Sequence, residues 1–231
     1  MKFIGTISTE MSGSLGGITA SRNRGGAYFR QRVTPTNPNS TKQSQVRTIV
    51  QFLSDYWTNT LTQPQRDAWD NYNLQTPGFV GTGIDAFIRC NIPRLYWNAL
   101  AATEILPLVV TAPAIFDVGS FSPIALGVVD ASASTAIFAF TDTDEWANED
   151  ESAMLIYGSP PVNASRTNYF GLYNLFNIVI GDAVTPPTSP NTTANYPFTL
   201  TAGQRIFLKV RVSRADGRLA SPQRVTGLVT A

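Results

Sequence analysis

The chain of 231 residues contains no histidine. That excludes Ser-His and Cys-His nucleophile pairs, histidine general bases and histidine-ligated zinc together. Carboxylate-pair hydrolysis, oxygen-ligated Mg²⁺ or Ca²⁺ and Ser-Lys chemistry remain, and only Lys42 and Lys209 lie beyond residue 3 to serve the last. A single cysteine, Cys90, rules out an intrachain disulfide and fits a reducing compartment. Beside Arg89 it invites an activated thiol, against the ordinary reading of a buried inert one. Charged residues make up only 14% of the chain, and small polar residues with Gly and Pro are abundant. This mixture leans toward β-rich, assembly-forming proteins. No apolar run reaches the roughly 18 residues of a membrane span. Met1-Lys2-Phe3-Ile4-Gly5 turns polar at once, so no signal peptide is expected.

What charge there is lies unevenly. Residues 1–104 carry ten Lys or Arg against six acids, and residues 105–231 carry seven against ten. A basic front and an acidic back suggest contacts between copies, or an anionic partner for the front. The basic part is concentrated in "SGSLGGITASRNRGGAYFRQRVTPTNP", residues 12–38. We assign residues 1–38 to an extended, β-rich arm. Gly13, Gly16, Gly17, Gly25 and Gly26 would permit turns and close backbone approach. Arg22, Arg24, Arg30 and Arg32 would supply ion pairs to a neighbouring subunit. "KFIGTIS", "GGITAS" and "AYFRQRV" read as short strands. The glycine spacing matches neither a Walker nor a Rossmann loop. Nucleic-acid contact through these arginines, with Tyr28 and Phe29 stacking, is the competing use. A free segment of this composition buries too little to offset about 1–2 kcal/mol of backbone entropy per residue. It is therefore expected to take its shape against another polypeptide.

Residues 39–104 read as about three helices. After Ser40 or Thr41, the positions Val46, Ile49, Val50, Leu53 and Trp57 fall on one face of a 3.6-residue period. Thr62 and Gln65 form a capping box, with Pro64 in the first turn. A hairpin of these two helices would bring Trp57 and Trp69 together as a helical core. Trp57, Trp69, Tyr72, Tyr96 and Trp97 also resemble a ligand-stacking set, but helical spacing favours a core. The third helix opens near Thr82, and Pro93 should kink or split it.

From residue 105 to 231 the pattern is β: "IALGVVD", "TAIFAFT", "AMLIYGS", "FNIVIGD", "YPFTLT", "RIFLKVRVSR" and "RVTGLVT", separated by turn-rich segments. Seven short strands at this spacing imply an antiparallel β-sandwich. Alternation in "FLKVRVSR" predicts a sheet with one wet face. The fold class is thus α+β: arm, helical region and a sandwich resembling immunoglobulin or fibronectin type III modules, although the Cys-Trp-Cys core is absent. Between the second and third strands, Asp142, Asp144, Glu145, Glu149, Asp150 and Glu151 crowd together. Ala147 and Ala153 stand where an EF-hand needs glycine and carboxylate. A solvated hairpin is the default reading, with a looser Ca²⁺ site or a docking loop for another copy's arm as alternatives. No placement singles out two carboxylates for glycoside hydrolysis.

The ordered series "SGSLGGITASRNRGGAYFR", "VTPTNPNSTKQSQVR" and "LTQPQRDAWDNYN" resembles uncharacterised proteins encoded among tailed-bacteriophage and prophage structural genes. The resemblance covers the first third of the chain. It implies a non-enzymatic virion protein, made in the host cytoplasm, with no catalytic, cofactor or metal residues to carry over. Its partners would be other copies of itself and other virion proteins, not nucleic acid or membrane. A capsid decoration or minor capsid protein anchored by the arm is the expected role. A tail or head–tail junction component, or a receptor- or glycan-binding module, is the alternative.

Overall fold

The computed structural model describes residues 13–24, 26–78, 80–193 and 196–231. Near the N-terminus, small and β-branched residues broken by glycine form strands β1 (Gly13–Leu15), β2 (Ile18–Asn23) and β3 (Gly26–Gln31). They pair antiparallel in that order. The β1–β2 loop is the pair Gly16-Gly17, and Gly16 has φ 55°, a conformation glycine adopts without Cβ strain. "KFIGTIS" lies outside the described residues. The chain divides into two units between Ser40 and Thr41.

In the second unit, helices α1 (Thr41–Asn59), α2 (Gln63–Gln75) and α3 (Gly83–Ala101) come first. The Thr62–Gln65 capping box forms as expected, and a second one pairs Thr82 with Asp85 at the start of α3. α3 runs through Pro93 as one helix. Pro93 is buried, so packing around it offsets the lost backbone hydrogen bond, and the expected split does not occur.

After α3, the segment 105–110 is tied to the helix by side chains one or two turns apart. Asn98 accepts from Ile105 and Leu106 N–H (both 3.0 Å) and donates to Leu106 O (2.7 Å). Asn91 accepts from Val109 N–H (2.8 Å) and donates to Val109 O (3.0 Å). Between them Arg94 donates to Pro107 O (2.8 Å). These polar groups stand in for a strand partner, so the segment leading from helices to sheet is fixed in place.

The remaining strands are β4 (Ala125–Asp130), β5 (Thr135–Ala139), β6 (Ala153–Gly158), β7 (Asn174–Ile180), β8 (Asn191–Thr193), β9 (Arg205–Ser213) and β10 (Gln223–Thr230). They make one open seven-stranded sheet, ordered β7-β6-β9-β10-β4-β5-β8. All neighbours are antiparallel except β10 and β4, which pair in parallel at Val229–Val129 and Thr230–Asp130. Val129, Ala136 and Phe138 from β4 and β5 share one core with Met154, Ile156, Leu208, Val210 and Val212 from β6 and β9.

Two strand expectations need correction. "YPFTLT" is not a strand; the edge is β8 instead. Its alternating Tyr196 and Leu200 are core anchors, and the Tyr196 hydroxyl donates to Ser159 O at 2.7 Å. The other face of β9 is not wet. Phe207 and Ser213 are buried, and Lys209 and Arg211 are half-buried. The reason is cover from outside the sheet. Leu106, with Tyr96 and Trp97 of α3 packed alongside, clusters with Ala153, Leu155 and Leu175 on that face.

Candidate functional site

In the N-terminal sheet, register decides which way each arginine projects. Thr19 faces Arg30 and Arg22 faces Ala27. By strand alternation, Tyr28 and Arg30 share one face with Thr19 and Ser21. Arg22 and Phe29 share the other with Ile18 and Ala20. The four arginines therefore do not form a single patch. Arg24 sits in the turn, and Arg32 follows the last strand, its N–H bonded to Gly17 O at 2.8 Å. Arg24, Arg30 and Arg32 are exposed. Gly13 (φ 120°) and Gly26 (φ 109°) occupy positive-φ positions with open space where a Cβ would stand. Gly17 also has open space there, and Gly25 lies outside the described residues. The sheet is stitched by a Ser14–Thr19 hydroxyl pair at 3.1 Å. No described side chain in residues 13–40 is buried.

The acidic cluster forms a structured turn in which Asp142, Glu145, Asp150 and Glu151 remain exposed. Residues Glu145–Asn148 form one turn of 3-10 helix with Trp146 and Ala147 buried. Asp144 is buried and accepts from Ser122 N–H (2.7 Å) and its hydroxyl (2.8 Å). Glu145 and Glu149 close on Arg214 from two sides, at 2.8 Å to Nη1 and 2.5 Å to Nε. Arg214 Nη1 also donates to Val118 O at 2.6 Å. Asp150 accepts from Ala183 N–H at 2.8 Å. Glu151 holds φ 59°, and its carbonyl accepts from Arg94. Asp142 is exposed. Asp144, Glu145, Glu149 and Asp150 thus each have a protein partner. Among the described residues, no three His, Cys, Asp or Glu side chains gather as a metal ion would require.

In the helices, Trp69 is fully buried and Trp57 half-buried. Both rings lie against Phe87 of α3, with centroids at 5.4 and 5.7 Å. They meet through that ring because α1 and α2 each pack on α3, where the sequence suggested that they pair with one another. Trp69 Nε1 donates to Val110 O at 3.0 Å. Cys90 is buried in the same core, and burial pushes its thiol up to about 12. It stays protonated at neutral pH and is no nucleophile.

The residue sequence reasoning missed is Arg94. It is fully buried and donates to Pro107 O (2.8 Å), Ser213 Oγ (3.2 Å), Arg214 O (3.0 Å) and Glu151 O (3.1 Å). Burial holds its guanidinium below the usual arginine range. Its contacts link α3, the acidic turn and the end of β9. The available signal was spacing: Asn91, Arg94 and Asn98 are polar residues three and four apart along α3. Among the described residues, no helix is long and apolar enough to cross a membrane. No protein-family model, curated protein or solved structure matches the chain.

Proposed function

We propose that this chain is a structural component of a bacteriophage virion, a capsid decoration or minor capsid protein that attaches through residues 1–38 and is not an enzyme. The supporting observation is the N-terminal sheet. Three short strands hold together in water only with an apolar face covered. Here Ile18 is 53% and Val33 79% exposed, and no described side chain of that unit is buried. A second polypeptide supplies the cover, adding backbone hydrogen bonds at an open edge and carboxylates for Arg24, Arg30 and Arg32. Other copies of this chain and other virion proteins are the partners.

The strand order supports an immunoglobulin-like reading of residues 105–231. In that reading β7-β6-β9-β10 and β4-β5-β8 would be two layers over one shared core, linked through the short parallel β10–β4 pairing. In this reading, the module projects from or packs on the particle surface.

The test is deletion of residues 1–36 in the phage that carries the gene. The deletion abolishes incorporation of the chain into purified particles, measured by mass spectrometry, while the remaining protein keeps its cooperative melting. Normal incorporation of the truncated chain overturns the proposal. The symmetry of the protein in a particle reconstruction separates the capsid role from a tail or head–tail role.

A further inference from the structure

On the outer face of the seven-stranded sheet, the chain between β6 and β7 folds back over β9 and β10. Tyr169 stacks on Phe207 of β9, with centroids 6.1 Å apart, and meets Tyr173 edge-on at 5.2 Å. With Asn168, Arg224 and Thr226, these three rings line a hollow of about 160 Å³. Beside it, Lys209 Nζ stands 5.4 Å from the Tyr173 ring and 4.6 Å over that of Tyr157. Arg224 is the direct cross-strand partner of Lys209, and like charges so placed repel. Among the described residues, no carboxylate forms an ion pair with either cation. Burial, with the neighbouring cations Arg211 and Arg224, holds the Lys209 amine below its usual range. The loop over the hollow is fixed by the Tyr169 hydroxyl donating to Leu172 O at 3.2 Å. A Cβ on Gly171 would fall on the Tyr169 ring. This turn leaves Phe170 88% and Leu172 87% exposed, apolar surface held in water beside a cavity.

We propose that this hollow binds a carboxylate-bearing sugar, a sialic or uronic acid unit of a glycan. The carboxylate relieves the repulsion between Lys209 and Arg224, and the guanidinium holds it as a fork. The aliphatic hydrogens of the sugar ring lie against the electron-rich faces of the tyrosines. Asn168 and Thr226 meet its hydroxyls, and Phe170 carries the neighbouring unit. Ordinary ligand pockets begin at about 300 Å³, so this hollow admits one ring of a longer chain rather than a whole nucleotide. A single-stranded nucleic acid also needs a basic groove several nucleotides long, whereas Lys209 and Arg224 form one adjacent pair. An extended peptide is recognised largely through its main chain. The floor strand β9 is paired on both sides, by β6 and β10, and Ser159 takes both backbone groups of Phe207. It therefore offers a ligand side chains only, which suits a sugar. The inference does not depend on the virion reading.

The test is a glycan array of sialylated, uronic-acid and neutral glycans, probed with the full-length chain at low ionic strength. Titration calorimetry then compares the best acidic glycan with its neutral counterpart, oligo-dT and poly-Glu. The acidic glycan is expected to bind at least tenfold more tightly than each of the other three, and to weaken with added salt. Arg224→Gln, at an exposed position, is expected to lose at least tenfold in that affinity. The same variant should melt no lower than the parent, because it removes the like-charge pair. Hydrogen exchange of the unaltered chain, run with and without the glycan, should show protection over residues 167–173 and 223–226. This readout stands even if the variant misfolds. Absence of acidic-glycan binding, equal binding of neutral glycans, tighter binding of oligo-dT or poly-Glu, unchanged affinity in Arg224→Gln, or protection confined to other segments each overturns the assignment. Because the isolated chain is used, that failure would leave the particle-incorporation result untouched.

Discussion

Replacing Arg94 by Met tests whether this one side chain holds the helices to the sheet. Methionine keeps most of the stem's volume but removes every donor. Pro107 O, Arg214 O and Glu151 O lose a charged partner, and so does the Ser213 hydroxyl. Hydrogen bonds to charged groups contribute about 1.5–3 kcal/mol each, so the gross loss is roughly 6–12 kcal/mol. Against this stands the desolvation of a buried guanidinium, several kcal/mol, which the variant no longer suffers. The net expectation is a loss of about 3 kcal/mol, near the lower end for breaking a buried charged network. In a unit of this size each kcal/mol moves the melting midpoint by about 2–4 °C, so Arg94→Met should melt about 6–12 °C lower. Arg94→Lys, which keeps the charge but loses the fork, should fall between the two. Urea titration followed by tryptophan fluorescence reads the free energy directly. A midpoint equivalent to within about 0.5 kcal/mol of the parent, at unchanged slope, would refute the assignment.

Two further perturbations probe the turn and a helix cap. At Gly181 an added Cβ would fall on the carbonyl oxygens of Trp146 and Glu149 and on the Ser152 hydroxyl. Gly181→Ala should therefore displace the acidic turn and cost about 1–3 kcal/mol in urea titration, as overpacking does; a neutral result would show that the turn yields freely. Asp85, with the Thr82 N–H and hydroxyl both donating to it, has its carboxyl held below 3.8. A depressed folded-state value means that this stability is complete above 3.8 and is lost as pH falls through the folded value. Asp85→Asn should flatten the acid dependence of helix melting below about pH 4, measured by circular dichroism, and an unchanged profile would exclude the cap as its source.

Local chemistry carried the elements best. The capping boxes at Thr62–Gln65 and Thr82–Asp85 are two-residue events with a fixed spacing, and both formed. Six of the seven β runs became strands for a similar reason, since alternation of β-branched residues needs no knowledge of the neighbour. The misses all concern what lies opposite. "AMLIYG" in β6 is unbroken by polar residues because both its faces are covered, Met154 and Ile156 by the inner core and Ala153 and Leu155 by residues from beyond α3. That run was the sign that β9 beside it had no wet face. Trp57 and Trp69 could be placed in a helical core but not on Phe87, because period alone does not say which helix is central. The acidic cluster is the sharpest case. Composition gave six carboxylates in ten residues, and it took Arg214, some sixty-five residues further on, to show that Glu145 and Glu149 are ion-paired. Lys42, Arg47, Arg89 and Arg211 are likewise scattered in sequence, yet all four line one cleft between α1, α3 and the sheet. The arm's arginines, close together in sequence, were easy to notice, yet strand alternation puts Arg22 and Arg30 on opposite faces. Concentration of charge along a chain and concentration in space are thus separate properties here, and only the folded structure shows the second.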